Sequence, residues 1–575
     1  MAKIFDNRLY TALLILICAS CASREAASQP DWPFGGMVVT ANPYATEVAS
    51  AILERGGHAV DAAIAAHAVL GLVEPQSSGL GGGGFMLVFE RSQAKLTFLD
   101  GRESAPAGAD ARMFMVPGAE QADDEPQVMS FLQAWQSGLA VGVPGVVALY
   151  QRAHEQHGRL PWRDLFQPAI DLANQGFEVS PRLAQFLPRM AKISRLDENP
   201  GSKAYFYPDG EPLAAGQLRT NSEYARTLLS IATQGASAFY SGSIARAIAA
   251  AAQAEPDPGT LAVSDISSYE VKERPVVCGG FQADRICSAA PPSSGAAPIL
   301  MAKLYEEFAP DGNGRIRAFV DAQRLSYADR DHYFGDPEGA PVPVDALLEQ
   351  SYVRQRGSER FAPGEIPVHG NPAGSAPLGP DTTEEASGTS HLSIVDARGN
   401  AVSFTATIEA PFGSARWVEG FLLNNEMTDF ARDVPATEES TRLPANAIRP
   451  GLRPRSSMSP TMIFDANGQL KMVTGSPGGN SIPAYVGKTI LGVLAWGLSP
   501  QAAVDFPNIV ARGAKVRVET GVEPGPKIAA ELKDAGYEVQ EREGENSGIS
   551  LIYVDEEGLV GAADKRREGT VKAVP

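Results

Sequence analysis

A chain of 575 residues, 44% hydrophobic and 20% charged, can bury a large core, and by length alone it would divide into several domains. Its formal net charge of −19 at pH 7 argues against a basic surface for nucleic acid. Zinc-ligand spacing is missing, and the run Gly81-Gly82-Gly83-Gly84 lacks the Gly-Lys-Ser/Thr ending of a phosphate loop, so neither a metal nor an organic cofactor is expected.

The first residues have the layout of an export signal. Lys3 and Arg8 precede an apolar stretch, residues 9–19, too short to span a bilayer but the size of a signal-peptide core. Removal of residues 1–28 is expected, with cutting near Ala22 or Ala27, and lipid attachment at Cys21 is the alternative. The protein is accordingly expected to be exported: periplasmic or secreted, or lipid-anchored.

Residues 46–55, with Thr46 as N-cap, and 59–73 read as amphipathic helices broken by Gly56-Gly57, of the kind that cover a sheet. The four glycines then run into a strand-like Phe85-Met86-Leu87-Val88-Phe89, which points to close backbone packing. Further helices are expected over 146–156, 161–175, 224–234, 244–254 and 297–307. Cys278 and Cys287 flank a hairpin; in an exported protein they form a disulfide, or else remain two buried thiols. The stretches 547–554 and 561–564 read as closing strands.

The chemistry gathers after residue 387. Gly388-Thr389 opens an alternating run, Ser390 to Asp396; Ala397-Arg398-Gly399-Asn400 makes a turn, and alternation resumes from Ala401 to Thr407. With the turn centred on Arg398, antiparallel pairing sets Thr407 opposite Thr389. Attack of the Thr389 hydroxyl on the Gly388 carbonyl would turn the peptide bond into an ester, and its hydrolysis would free Thr389 as a new N-terminus. That α-amine titrates at roughly 7.7 to 8.0 and can serve as the base for its own hydroxyl.

Several longer motifs follow: Gly420-Phe421-Leu422-Leu423-Asn424-Asn425-Glu426-Met427-Thr428-Asp429, Arg453-Pro454-Arg455-Ser456-Ser457-Met458-Ser459-Pro460, and Thr474-Gly475-Ser476-Pro477-Gly478-Gly479-Asn480. With Glu74-Pro75-Gln76-Ser77-Ser78-Gly79, Asp100-Gly101-Arg102-Glu103 and Pro291-Pro292-Ser293-Ser294-Gly295 near the start, this ordered set resembles the γ-glutamyltranspeptidase family over nearly all of the mature chain. The resemblance implies an α+β fold, the four-layer αββα sandwich of N-terminal-nucleophile hydrolases. It also implies a precursor cut between Gly388 and Thr389 into a large subunit, residues 29–388, and a small one, residues 389–575, that stay intertwined as a heterodimer.

Residue by residue, the resemblance makes Thr389 the nucleophile, Thr407 its supporting hydroxyl, and Gly478 and Gly479 the oxyanion-hole amides. Arg102, with Ser456 and Ser457, would grip a substrate α-carboxylate, and Glu426 and Asp429 would hold its α-ammonium. Residues 431–446 match the family's lid loop. One position departs: Glu409 stands where the family has asparagine, which would crowd Glu409, Glu426 and Asp429 round one ammonium and raise at least one of their pKa values. The activity implied is hydrolysis of γ-glutamyl amides such as glutathione, or transfer to an amino acid or dipeptide. Two other readings compete: an amidase of the same architecture for another acyl group (glutaryl side chains of β-lactams, or oxamate), and a non-enzymatic periplasmic binding protein for amino-acid conjugates.

Overall fold

Period-two alternation on both sides of Gly399 produces a two-stranded hairpin, and the rest of the molecule is laid down around it. The computed structural model describes residues 32–115, 127–312, 314–359, 361–432 and 442–575. The expected export signal lies outside the described residues, as do residues 433–441 of the expected lid. From Phe34 to Pro575 the chain forms one unit, so the division that length alone suggests does not occur.

Thirteen strands build two sheets. In chain order they are β1 (Gly36–Thr40), β2 (Gly83–Glu90), β3 (Lys95–Gly101), β4 (Lys272–Arg274), β5 (Val276–Phe281), β6 (Asp284–Ala289), β7 (Gly388–Val395), β8 (Ala401–Glu409), β9 (Thr461–Phe464), β10 (Leu470–Gly475), β11 (Ser550–Val554), β12 (Leu559–Ala563) and β13 (Thr570–Val574). The first sheet runs β13-β1-β7-β8-β2-β3-β4 and the second β12-β11-β10-β9-β6-β5. Strands from before and after Gly388 therefore pair with one another within both sheets, β1 lying between β13 and β7 in the first.

Alternation assigns the two faces of the hairpin. Leu392, Ile394, Val402, Phe404 and Ala406 point into the largest apolar core, against the helix α2 (Ala59–Val73). His391, Ser393, Ser403 and Thr405 face the second sheet, where Ser393 Oγ donates to Ser550 O at 3.1 Å and Ser403 Oγ to Thr474 O at 3.0 Å. An inter-sheet layer carrying this many hydroxyls is satisfied only in one register, because a one-residue slip would bury them in the apolar layer.

Helices cover both outer faces and complete the expected αββα order. α1 (Pro43–Glu54) and α2 lie on the first sheet, and on the second lie α3 (Ala296–Phe308) and α4 (Ile482–Leu494). Two local expectations need correction. Asn42, not Thr46, caps α1: its side chain accepts from Tyr44 N–H at 3.0 Å, and Pro43 suits the first helical position because it has no N–H to leave unpaired. Thr46 lies inside the helix, bonded to Thr40 Oγ1 at 2.8 Å. Nor is α2 amphipathic, since every one of its residues is buried between the hairpin and the next helical layer. Cys278 and Cys287 face each other across β5 and β6 and are joined as a disulfide.

Candidate active site

Thr389 is the second residue of β7 and pairs with Thr407 of β8, on the register the turn sets. Thr389 Oγ1 donates to Thr407 Oγ1 at 3.2 Å, and Thr407 Oγ1 donates to the Gly388 carbonyl oxygen at 2.6 Å. Thr407 Oγ1 also accepts from Glu409 N–H at 2.8 Å, which fixes its remaining lone pair. One hydroxyl thus touches both the Thr389 hydroxyl and the carbonyl of the peptide bond before it. Glycine is required at 388, where a Cβ would lie 2.4 Å from Glu409 O.

The β7–β8 ladder bulges between Thr407 and Glu409, and Glu409 adopts φ +74°. Such a conformation is costly for a residue with a side chain, and here it turns a carboxylate from the strand edge into the site. Gly478 and Gly479 lie just ahead of α4 with φ +140° and +56°, and a Cβ on Gly479 would come within 2.4 Å of Ala386 O. Their amides stand at the positive end of that helix, suited to a developing oxyanion.

Arg102 follows β3, and all three of its nitrogens are engaged. Nη1 meets Glu426 Oε1; Nη2 donates to Asp429 Oδ2 at 2.7 Å and Arg455 O at 2.8 Å; Nε donates to Pro454 O at 3.3 Å. The fork expected to face a substrate carboxylate thus faces the two acids expected to hold the ammonium. Glu103 adds another carboxylate 3.8 Å from Nη1, and both its oxygens are buried without a hydrogen-bond partner. Glu409 Oε1 accepts from Ala386 N–H at 2.7 Å, and its Oε2 from Asn425 Nδ2.

Three buried carboxylates, Glu103, Glu426 and Asp429, therefore share one guanidinium, with the buried carboxylate of Glu409 beside Asp429. Burial, then Asp429, drives Glu409 well above the ordinary carboxylate range. Burial also raises Glu426 and Asp429 well above theirs, against the pull of Arg102. Glu103 is pushed up to about 7, again by burial first. For Arg102 burial disfavours the charge, and Glu426 and Asp429 more than offset it. The crowding inferred from sequence is thus present and wider, with Glu103 as a fourth member.

Ser456 Oγ accepts from Met458 N–H at 3.2 Å, whereas the Ser457 hydroxyl donates to Glu385. Sequence reasoning passed over Glu385 and the two arginines that hold it, Arg330 and Arg455. The available signal was Arg455 directly before the Ser456-Ser457 pair. Arg102, Thr389, Thr407, Glu409, Glu426, Asp429, Ser456, Ser457 and Gly479 line one space together with Glu385 and Ala386. That space is about 10 Å³, room for a single water, because the segment ahead of Thr389 fills it. Gly478 lies on the far side of the same segment, on a cavity of about 810 Å³.

Among the described residues, His58, Glu90 and His157 bring ligand-type atoms within 4.8 Å of one another. Their hydrogen bonding disfavours a cation there. His58 Nδ1 accepts from Val60 N–H at 3.0 Å, so Nε2 carries the proton and donates to Glu90 at 3.2 Å.

The chain is similar to known proteins along nearly its whole length. The chain is 33% identical to the "Glutathione hydrolase proenzyme" of Bacillus subtilis (strain 168), with 98% of this chain and 97% of that protein covered. It is also 33% identical to the protein of the same name from Escherichia coli (strain K12), over 96% and 97%. Among solved structures, the cephalosporin acylase from Bacillus halodurans superposes with a TM-score of 0.81 at 26% identity, covering 94% of this chain and 96% of that one. The profile of the family described as Gamma-glutamyltranspeptidase matches residues 45–574. Profile and relatives span nearly the whole folded unit, the β7–β8 hairpin included, and the chain belongs to the gamma-glutamyltranspeptidase family.

Proposed function

We propose that the protein is exported, loses residues 1–28, cuts itself between Gly388 and Thr389, and then acts as a γ-glutamyl amide hydrolase and transferase on small molecules such as glutathione. The observation that carries this is the hydroxyl chain from Thr389 through Thr407 to the Gly388 carbonyl, at 3.2 Å and 2.6 Å. In the first cut, Thr389 Oγ1 attacks that carbonyl while Thr407 donates to its oxygen. Water hydrolyses the ester, leaving residues 29–388 and 389–575 interleaved in both sheets.

In turnover, the freed α-amine of Thr389 takes the hydroxyl proton as Oγ1 attacks the γ-amide carbonyl, and returns it to the leaving amine. The amides of Gly478 and Gly479 receive the oxyanion. Water, or the amine of an amino acid or dipeptide, then resolves the γ-glutamyl ester. The acid cluster at Glu409, Glu426 and Asp429 favours a cationic substrate head, since an ammonium would relieve their mutual repulsion.

A second reading has its own support. The pairing of Glu426 and Asp429 with Arg102, with the similarity to a cephalosporin acylase, fits an acyl group without the α-ammonium. Release from a γ-glutamyl anilide and from a glutaryl anilide, which lacks only that ammonium, separates the two. Preference for γ-glutamyl by at least about tenfold is expected, the worth of one charge-assisted contact. Preference for glutaryl would move the protein to the acylase reading.

The acid cluster also predicts a pH dependence. Glu103, Glu409, Glu426 and Asp429 hold protons more tightly folded than unfolded. Their contribution to stability is fully present below the unfolded values of 4.5 for Glu and 3.8 for Asp and is lost as pH rises, for Glu103 through about 7. Uncut Thr389→Ala protein should melt at lower temperature at pH 8 than at pH 5, and Glu409→Asn should flatten that slope. Parallel melting curves for the two proteins across this range would remove Glu409 from the cluster's titration.

A further inference from the structure

Successive carbonyls of a strand point to opposite edges, so the three around the Gly388–Thr389 bond need partners on both sides. On one side stands β8, from which Thr407 Oγ1 donates to the Gly388 oxygen at 2.6 Å. Among the described residues the other side has no strand at this point, because β1 pairs with β7 only from Ser393 to Val395 and ends at Thr40. The loop between β12 and β13 passes that end, where a Cβ on Gly569 would lie 3.3 Å from Thr40 O, and it supplies the missing donor. Arg567 Nη1 donates to Thr389 O at 2.7 Å. Two residues back, on the same edge, Ser387 O accepts from Asn546 Nδ2 at 3.3 Å.

We propose that Asn546 and Arg567 form a clamp for self-cutting: positioning residues that pin the backbone on the edge opposite Thr407, so that the Thr389 hydroxyl and the Gly388 carbonyl stay aligned. The proposal rests on the self-cutting reading above.

The two halves of the clamp are joined. Arg567 Nη2 donates to Asn546 O at 3.2 Å and to its Oδ1 at 3.4 Å, and Arg182 Nη2 donates to the same Oδ1 at 3.4 Å. Donors on Oδ1 leave Nδ2 directed at Ser387. A Cβ on Gly548 would come within 2.5 Å of Arg567 Cδ, so glycine there keeps the path of the side chain open. Burial first, and Arg182 next, pull the Arg567 guanidinium down to about 9, so its charge is held at a cost. A neutral donor would pin one carbonyl without that cost, whereas the guanidinium fork reaches Thr389 and Asn546 together. The halves differ in what survives cutting. Ser387 belongs to the segment that ends at Gly388, and Thr389 stays on β7. Asn546 therefore acts on cutting above all, and Arg567 on both cutting and turnover.

The test compares wild type, Asn546→Asp, Arg567→Met and Arg567→Lys. Three quantities are read: the rate at which the fragment beginning at Thr389 appears, kcat on γ-glutamyl anilide once cutting is complete, and melting temperature. Aspartate keeps the size of Asn546 and its contacts to both arginines, now charge-assisted, and removes only the donor to Ser387. Asn546→Asp should cut about 2- to 10-fold more slowly without melting earlier, the worth of one neutral hydrogen bond, and should lose less in kcat than in cutting rate. Arg567→Met should lose about 10- to 100-fold in both rates, the worth of a charge-assisted contact, and Arg567→Lys should recover part of each. Cutting by Asn546→Asp at the wild-type rate, equal losses in its two rates, or slowing that only follows a lower melting temperature would overturn the clamp. Should Arg567→Met fail to fold, Asn546→Asp still decides.

A second arm needs no cutting. In uncut Thr389→Ala protein, adding Asn546→Asp should speed amide hydrogen exchange by a similar factor in the peptide spanning residues 385–391, and not in β9 or β10. Exchange unchanged in that peptide, or raised equally throughout both sheets, overturns the clamp. Wild type that stays one chain would sink the self-cutting reading, and the exchange arm would still decide whether Asn546 holds the segment.

Discussion

Thr389→Ala should accumulate as one uncut chain with no acyl transfer. Alanine removes the hydroxyl proposed to attack Gly388 while keeping the backbone of β7, including the Thr389 carbonyl that accepts from Arg567 Nη1 at 2.7 Å. The lost side-chain hydrogen bond is the one to Thr407, so the fold should survive. Two losses then compound: the hydroxyl is gone, and without the cut no α-amine is freed to act as base. A fall in activity on the order of 10⁵ or more is expected, the scale seen when a covalent nucleophile is deleted. Mass spectrometry of wild type should show a fragment beginning Thr-Ser-His-Leu, and the variant should lack it. A variant still split at that bond would end the assignment of Thr389.

Thr407→Val should fold and cut itself slowly. Valine matches threonine in shape but removes three hydrogen bonds at once: from Thr389 Oγ1, to the Gly388 carbonyl, and from Glu409 N–H. The Gly388 contact matters most, since it strengthens as that oxygen gains charge in the tetrahedral intermediate. Losing one such donor costs about 10² to 10³ in rate. Glu409 N–H is left buried and unpaired, which should also lower stability by about 1 to 3 kcal/mol. A time course of fragment appearance on denaturing gels separates this from misfolding, because a slow cutter eventually yields the correct fragments. Cutting at the wild-type rate would show that Thr407 only supports the sheet.

The hairpin and most helices were legible because their signals are local. Alternation about the Arg398 turn puts Thr407 opposite Thr389 without reference to anything distant, and helical spacing located α2 and α3 almost to their ends. Errors arose where neighbours override local pattern. Thr46 is a good capping residue by type, but Asn42-Pro43 starts the helix earlier, and Thr46 is drawn to Thr40 on β1. α2 carries polar residues such as Asp61 and His67, yet layers on both sides bury it completely.

The sequence by itself determined the hairpin that pairs Thr389 with Thr407, the glycines that must approach other backbone, and three of the four acids of the cluster. Tertiary structure alone decided how charges pair within that cluster. Arg102, Glu385, Glu409, Glu426 and Arg455 arrive from segments separated by up to about 350 positions, as the Arg102 to Arg455 contact shows. Spacing along the chain says nothing about which carboxylate an arginine meets. Packing of two sheets and their helices brings Arg102 onto Glu426 and Asp429 and seats Glu385 between Arg330 and Arg455. Buried charges must find partners wherever the fold brings them, and in the uncut chain one of those partners is the segment that cleavage would release.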